Sequence, residues 1–168
     1  IQMLRLALLL ILFPCAASAQ DRPSDARDIA FRAFLVGGQD GATDGPVLAT
    51  LRSRLAQSDE NAVLVFLGDN LSCCGLPDSA DAGREQAEAR LRKQLELAEG
   101  FAGRVVVVPG ERDWDNSGKD GLAAVHRQEA FVESVLDDGN TFLPDDGFPG
   151  PELIDLTDDL SMIVLDTE

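Results

Sequence analysis

The chain predicts an α/β fold with a largely parallel sheet flanked by helices. Three observations predict it. Two unbroken apolar runs, Val63-Leu64-Val65-Phe66-Leu67 and Val105-Val106-Val107-Val108, have the length and valine content of strands buried on both faces. Each run ends in a glycine–acid turn, Gly68-Asp69-Asn70 and Pro109-Gly110-Glu111-Arg112-Asp113-Trp114. Strand and helix patterns alternate at βαβ spacing, which places successive strands parallel with helices on the sheet faces. Glycine after a buried strand allows a sharp turn and sets the next side chain at the carboxyl edge of the sheet. In open α/β sheets that edge is where ligands bind.

The elements follow in order. Ala30 to Val36 reads as a first strand running into Gly37-Gly38-Gln39-Asp40-Gly41. Pro46 opens a helix whose Val47, Leu48, Leu51 and Leu55 share one face. After the strand at Val63 to Leu67, a loop from Leu71 to Asp78 leads into a helix from about Ser79 to Glu99, with Ala87, Leu91, Leu95 and Ala98 inward. The strand at Val105 to Val108 is followed by a loop, Asn116 to Gly121, and a helix from Leu122 to Leu136 whose Val125, Val132 and Leu136 face the core. Pro144 to Pro151 is an irregular connection rich in proline and glycine. Short strands near Leu153 to Leu156 and Met162 to Leu165 come last. An apolar strand directly before Leu165-Asp166-Thr167-Glu168 predicts a domain that is incomplete at its C-terminal end.

The start of the chain predicts export. Met3-Leu4-Arg5 is a short basic opening, Leu6 to Phe13 a compact apolar run, and Ala17-Ser18-Ala19 a small-x-small cleavage pattern. A cleavable signal peptide over residues 1–19 and a mature domain over 20–168 are expected, with a periplasmic or secreted destination. The run falls short of the ~20 apolar residues a spanning helix needs. Phe13-Pro14 before Cys15 is a poor lipidation context.

The 168 residues suffice for one domain with a real core. Net charge is −16, from 30 acidic and 14 basic residues, and cleavage of the signal removes one of the arginines. Such a chain repels phosphate backbones, which excludes nucleic acid as a partner. Ten carboxylates and no lysine or arginine lie between Asp137 and Glu168, which fits either a solvated acidic face or a cation-attracting surface. Cys73 and Cys74 are adjacent, so they cannot staple distant segments, and they lack zinc-site spacing. Either a strained vicinal disulfide or two free thiols fits them. His126 is the single histidine and reads as a surface or packing residue.

Asp69 and Glu111 stand at equivalent places after two strands. Carboxylates suit hard or borderline divalent cations, and two strand ends could share a binuclear site that clamps phosphoryl oxygens and activates a water. Capping of a turn by Asp69 and solvation of Glu111 is the plainer alternative.

The wording of the motifs goes further. Val65-Phe66-Leu67-Gly68-Asp69-Asn70, Gly75-Leu76-Pro77-Asp78 and Val108-Pro109-Gly110-Glu111-Arg112-Asp113-Trp114, with the later Phe148-Pro149-Gly150-Pro151-Glu152 and Ile163-Val164-Leu165-Asp166-Thr167, resemble the calcineurin-like metallophosphoesterase family in its secreted bacterial branch. The resemblance runs from about Phe31 to Thr167. It implies the N-terminal part of a four-layer α/β/β/α sandwich and a phosphoric ester hydrolase. In that chemistry a water activated by two metal ions, manganese, iron or zinc, attacks phosphorus in a small phosphoester. Asp69 falls on the metal-bridging aspartate, and Asn70 follows it as in this branch. Glu111 stands where the family has a metal-ligating asparagine. Arg112 stands where it has the histidine that assists the leaving group, and Asp113 matches the acid after it. Gly38 occupies the place of a first-strand aspartate ligand, with Asp40 as the substitute two residues on. The resemblance thus implies Asp69, Glu111, Asn70 and Asp40 as metal ligands and Arg112 and Asp113 as catalytic candidates. Arginine stays protonated and cannot act as a general acid near neutral pH, though it can hold a phosphate. The family's later histidine ligands have no counterpart in a chain with one histidine. The expectation is therefore a hydrolase fold that is impaired or inactive, a pseudoenzyme. The alternatives are a catalytically dead binding module of the same fold and a truncated gene remnant.

Overall fold

The computed structural model describes residues 29–37, 45–147 and 149–168. The expected signal peptide over residues 1–19, Gly38 and Asp40 lie outside these described residues. Among the described residues, five strands and three α-helices are laid out in the order β1 (Arg32–Val36), α1 (Pro46–Leu55), β2 (Ala62–Leu67), α2 (Arg84–Leu95), β3 (Arg104–Val108), α3 (Gly121–Leu136), β4 (Glu152–Thr157) and β5 (Leu160–Val164). The expected elements are all present, and most differ from expectation by one or two residues at their ends. The largest difference is the start of α2, five residues later than Ser79. There the Asp78 carboxylate accepts the Ala80 N–H at 3.0 Å and the Asp81 carboxylate accepts the Gly83 N–H at 2.7 Å. These Asx turns offer the backbone a local alternative to the helix.

Strands β1, β2 and β3 form a parallel sheet in that order, with Phe34 opposite Leu64 and Leu64 opposite Val105. Phe142 adds a parallel bridge to Val107, closed by Val107 N–H to Thr141 O at 2.7 Å and Leu143 N–H to Val107 O at 2.8 Å. Strands β4 and β5 pair antiparallel as a separate hairpin.

The alternation of side chains along β2 explains the layering. Leu64 and Phe66 face a core shared with Leu48 and Leu55 of α1, Leu95 of α2, and Val125 and Val132 of α3. Val63 and Val65 point the other way, into a cluster with Val106, Leu143, Ile154 of β4 and Val164 of β5. The helices therefore cover one face of the parallel sheet and the hairpin covers the other. This double cover is why β2 reads as a continuous apolar run. Within α1, Leu48 and Leu55 are buried as expected, whereas Val47 is 78 % exposed and lies off the core face. No helix among the described residues is long and apolar enough to cross a membrane.

Candidate functional site

The two glycine–acid turns meet backbone to backbone at the carboxyl edge of the sheet. Gly68 has φ +86, and a Cβ there would stand 2.7 Å from the Gly110 nitrogen. A Cβ on Gly110 would stand 2.5 Å from the Asp69 nitrogen. Each glycine thus makes room for the other turn. Asp69 itself adopts φ +51, a left-handed conformation that aspartate tolerates better than most residues.

Beneath this contact lies a buried polar knot. Asp113 is fully buried, and its carboxylate accepts the N–H groups of Gly110 at 3.0 Å, Asn70 at 3.2 Å and Leu71 at 3.2 Å, and the Asn70 side-chain amide at 3.0 Å. The same amide donates to Val108 O at 3.1 Å. The Asn70 carbonyl accepts the Gln94 amide at 2.5 Å, which ties α2 into the knot. Burial pushes the Asp113 carboxyl above its ordinary range, against the opposing pull of its hydrogen bonds from Gly110, Asn70 and Leu71. Gln128 approaches from α3, fully buried, without completing a well-formed hydrogen bond of its own.

Above the knot the side chains are exposed. The Asp69 carboxylate accepts the Arg112 backbone N–H at 3.2 Å, and its other oxygen lies 3.6 Å from the Arg112 Nε. Glu111 is exposed on the same turn. The turn is anchored on its far side by Trp114, whose indole N–H donates to the Asp166 carboxylate at 2.5 Å. Asp166 is buried, and its N–H donates to Pro149 O at 3.0 Å. It is a residue of this region that reading the motifs for ligands did not single out. The signal was available, since a carboxylate directly after an apolar strand repeats the pattern of Asp69 and Glu111.

The structure thus brings Asp69, Asn70, Glu111, Arg112 and Asp113 to one sheet edge and divides them. Asn70 and Asp113 are buried, and the Asp113 carboxylate, the Asn70 side-chain NH₂ and the Asn70 backbone are engaged in the knot. Asp69 is engaged by Arg112 through both carboxylate oxygens. A binuclear centre needs several oxygen or nitrogen donors per ion, converging from different elements. Among the described residues this edge offers Glu111 and an Asp69 that already faces a guanidinium, and these donors do not fit a pair of divalent ions. The trio of described carboxylates whose oxygens lie within 4.8 Å of one another is a different set, Glu129, Asp145 and Asp146. There Glu129 accepts the Asp146 N–H at 2.8 Å and closes the 3-10 turn Asp145–Gly147 onto α3. His126 lies on the same helix, exposed, with its Nε2 2.7 Å from Asp146 O.

No family model, curated protein or solved structure matches the chain.

Proposed function

We propose that this domain is a metallophosphoesterase-like pseudoenzyme that acts by binding rather than by hydrolysing phosphoesters. The observation that carries the reading is the Asp69–Arg112 pair. The carboxylate at the family's metal-bridging position is held by a permanent organic cation on the neighbouring turn. A guanidinium neutralises that carboxylate, but it has no open coordination position and cannot lower the pKa of a water as a metal ion does. The buried knot under the pair supports descent from a fold in which these turns held ligands. Helices on one face of the parallel sheet and a hairpin on the other support a place in a four-layer α/β/β/α sandwich. The apolar run Leu6 to Phe13 with Ala17-Ser18-Ala19 supports export through a cleavable signal. A net charge of −16 makes the partner something other than a polyanion.

The experiment is a calorimetric titration of the full chain with Mn²⁺ and Zn²⁺, beside an assay on p-nitrophenyl phosphate and bis-p-nitrophenyl phosphate. The expected result is no tight two-ion binding and no metal-dependent turnover. Two ions bound tightly per chain, with turnover lost in Asp69→Ala, would overturn the proposal in favour of the hydrolase.

A further inference from the structure

The loop between the two halves of this edge carries the adjacent cysteines. Cys73 and Cys74 are both exposed and both free thiols. The segment around them is clamped on every side. Arg90 donates to the Ser72 hydroxyl at 2.6 Å, Arg127 to Leu76 O at 2.7 Å and Arg84 to Pro77 O at 2.7 Å. The next residue, Gly75, donates its N–H to the carbonyl of Arg112 at 2.7 Å. A Cβ on Gly75 would collide with the Asp113 carbonyl and with Ala124 of α3, so this glycine sits flush on the second turn. Two accessible thiols are thus mounted one residue from a direct hydrogen bond to the turn that carries Arg112.

We propose that Cys73 and Cys74 are a reversible dithiol–disulfide pair, a modification site that is mechanically joined to the Arg112 turn through Gly75. The two side chains are carried by neighbouring residues of this clamped loop, and both are open to solvent. The neighbouring Cys73 thiol, with some burial and the nearby Asp115, pushes the Cys74 thiol up to about 11. Adjacent α-carbons stand only about 3.8 Å apart across a trans peptide. That is short of the usual disulfide span, so the closed bond is strained and easily reduced. Strained, exposed disulfides are the labile ones, suited to switching rather than to stapling.

The oxidant is a small disulfide. One thiolate of the pair attacks a sulfur of the reagent, and the reagent's other half leaves as a thiolate that takes up a proton. The second cysteine, on losing its proton, attacks the protein-side sulfur of the mixed disulfide. The second half then leaves as a thiol. The protein loses two hydrogens and the reagent gains them. Cys74 opens on a cleft of about 460 Å³ lined also by Asp78, Asp81, Asp115, Asp120 and Arg127, in which carboxylates outnumber cations. That cleft favours a positively charged disulfide over an anionic one.

The test uses the full chain with Cys15→Ser, which leaves the pair as its sole thiols, treated with cystamine and then with dithiothreitol. Peptide mass mapping is expected to find the peptide holding Cys73 and Cys74 lighter by two hydrogens after cystamine, and restored after reduction. Trp114, the single tryptophan, lies two residues beyond Arg112 and reports the turn by fluorescence. Its emission is expected to change on oxidation and to stay constant in Cys74→Ser. Stable single cystamine adducts, or disulfides between chains, would overturn the vicinal bond. A vicinal bond that leaves Trp114 emission unmoved would overturn its coupling to the turn. Neither readout depends on metal binding or on turnover.

Discussion

Asp69 and Asp113 are two aspartates on two touching turns, and they live in opposite physical regimes. Asp113 is buried and surrounded by four N–H donors from Gly110, Asn70 and Leu71. Asp69 is on the rim, with about a third of its side chain exposed, and faces one arginine that is itself 44 % exposed. The lower aspartate sets where the two turns sit relative to each other. The upper one is where chemistry with a ligand would take place. A site of this kind can keep its scaffold while its rim changes, because the energetic constraints on the two layers are separate. Packing and hydrogen bonding hold the lower layer, whereas solvent screens the upper one.

The largest expected effect breaks the lower layer. Asp113→Ala leaves four buried or half-buried N–H donors facing an empty space, and should cost about 3–5 kcal/mol of stability. Asp113→Asn keeps the volume but turns an NH₂ toward some of those donors, and should still cost more than about 1 kcal/mol. Urea unfolding followed by circular dichroism measures both. Near-native stability for Asp113→Ala would mean that the knot contributes little and that the glycines alone position the turns.

The same division explains how much was legible in the sequence. The parallel strands were readable because Val63 to Leu67 and Val105 to Val108 are buried on both sides and therefore lack polar interruptions. Gly68 and Gly110 announced sharp turns, although their mutual contact is a long-range fact that no local pattern carries. The α2 start falls five residues after the expected Ser79 because Asp78 and Asp81 close turns of their own, which helical periodicity does not reveal. At the site, a motif places Asn70 and Asp113 beside Asp69 and Glu111 but does not say which side chains go down and which stay up. Burial decides that, and burial depends on Gln94 and Gln128 arriving from helices distant in sequence. The Asp166 link to Trp114 spans 52 positions and was equally out of reach.

Acid should strengthen the lower layer. Burial raises the carboxyls of Asp113, Glu129 and Glu133 above their ordinary values, each against opposing hydrogen bonds. A carboxyl raised in the folded state favours the proton there more than in the unfolded chain. Its stabilising contribution is complete below the ordinary carboxylate pKa and is lost as pH rises through the raised value. Relief of the net charge of −16 acts in the same direction. The melting temperature should therefore be higher at about pH 5, just above the ordinary carboxylate range, than at about pH 8. Salt screens the surface charges and leaves buried groups largely unscreened, so part of the gain should survive high salt. A melting temperature that falls on acidification would show that ionised Asp113, held by its N–H donors, outweighs the burial of all three carboxyls together.

The smallest effect on stability, and the one most informative about the rim, is expected from Arg112→Ala. Its partner Asp69 is solvent-exposed enough that the pair should contribute under about 1 kcal/mol, so unfolding should scarcely move. The backbone N–H of residue 112 remains to hold one Asp69 oxygen, and the knot below is untouched. What changes is the charge beside the carboxylate. Without the guanidinium, Asp69 and Glu111 stand at the edge as two carboxylates with no cation 3.6 Å away. A divalent ion then meets attraction where it previously met a fixed positive charge. Titration with Mn²⁺, followed by the loss of the free-ion paramagnetic resonance signal, should detect one weakly bound ion in Arg112→Ala that the unaltered chain lacks. Asp69→Ala in the same background should abolish it. If Arg112→Ala binds no ion, the arginine is not what keeps metal from this edge, and the missing donors of the rim are the deciding factor. If it unfolds the chain, the rim and the scaffold are not separable after all.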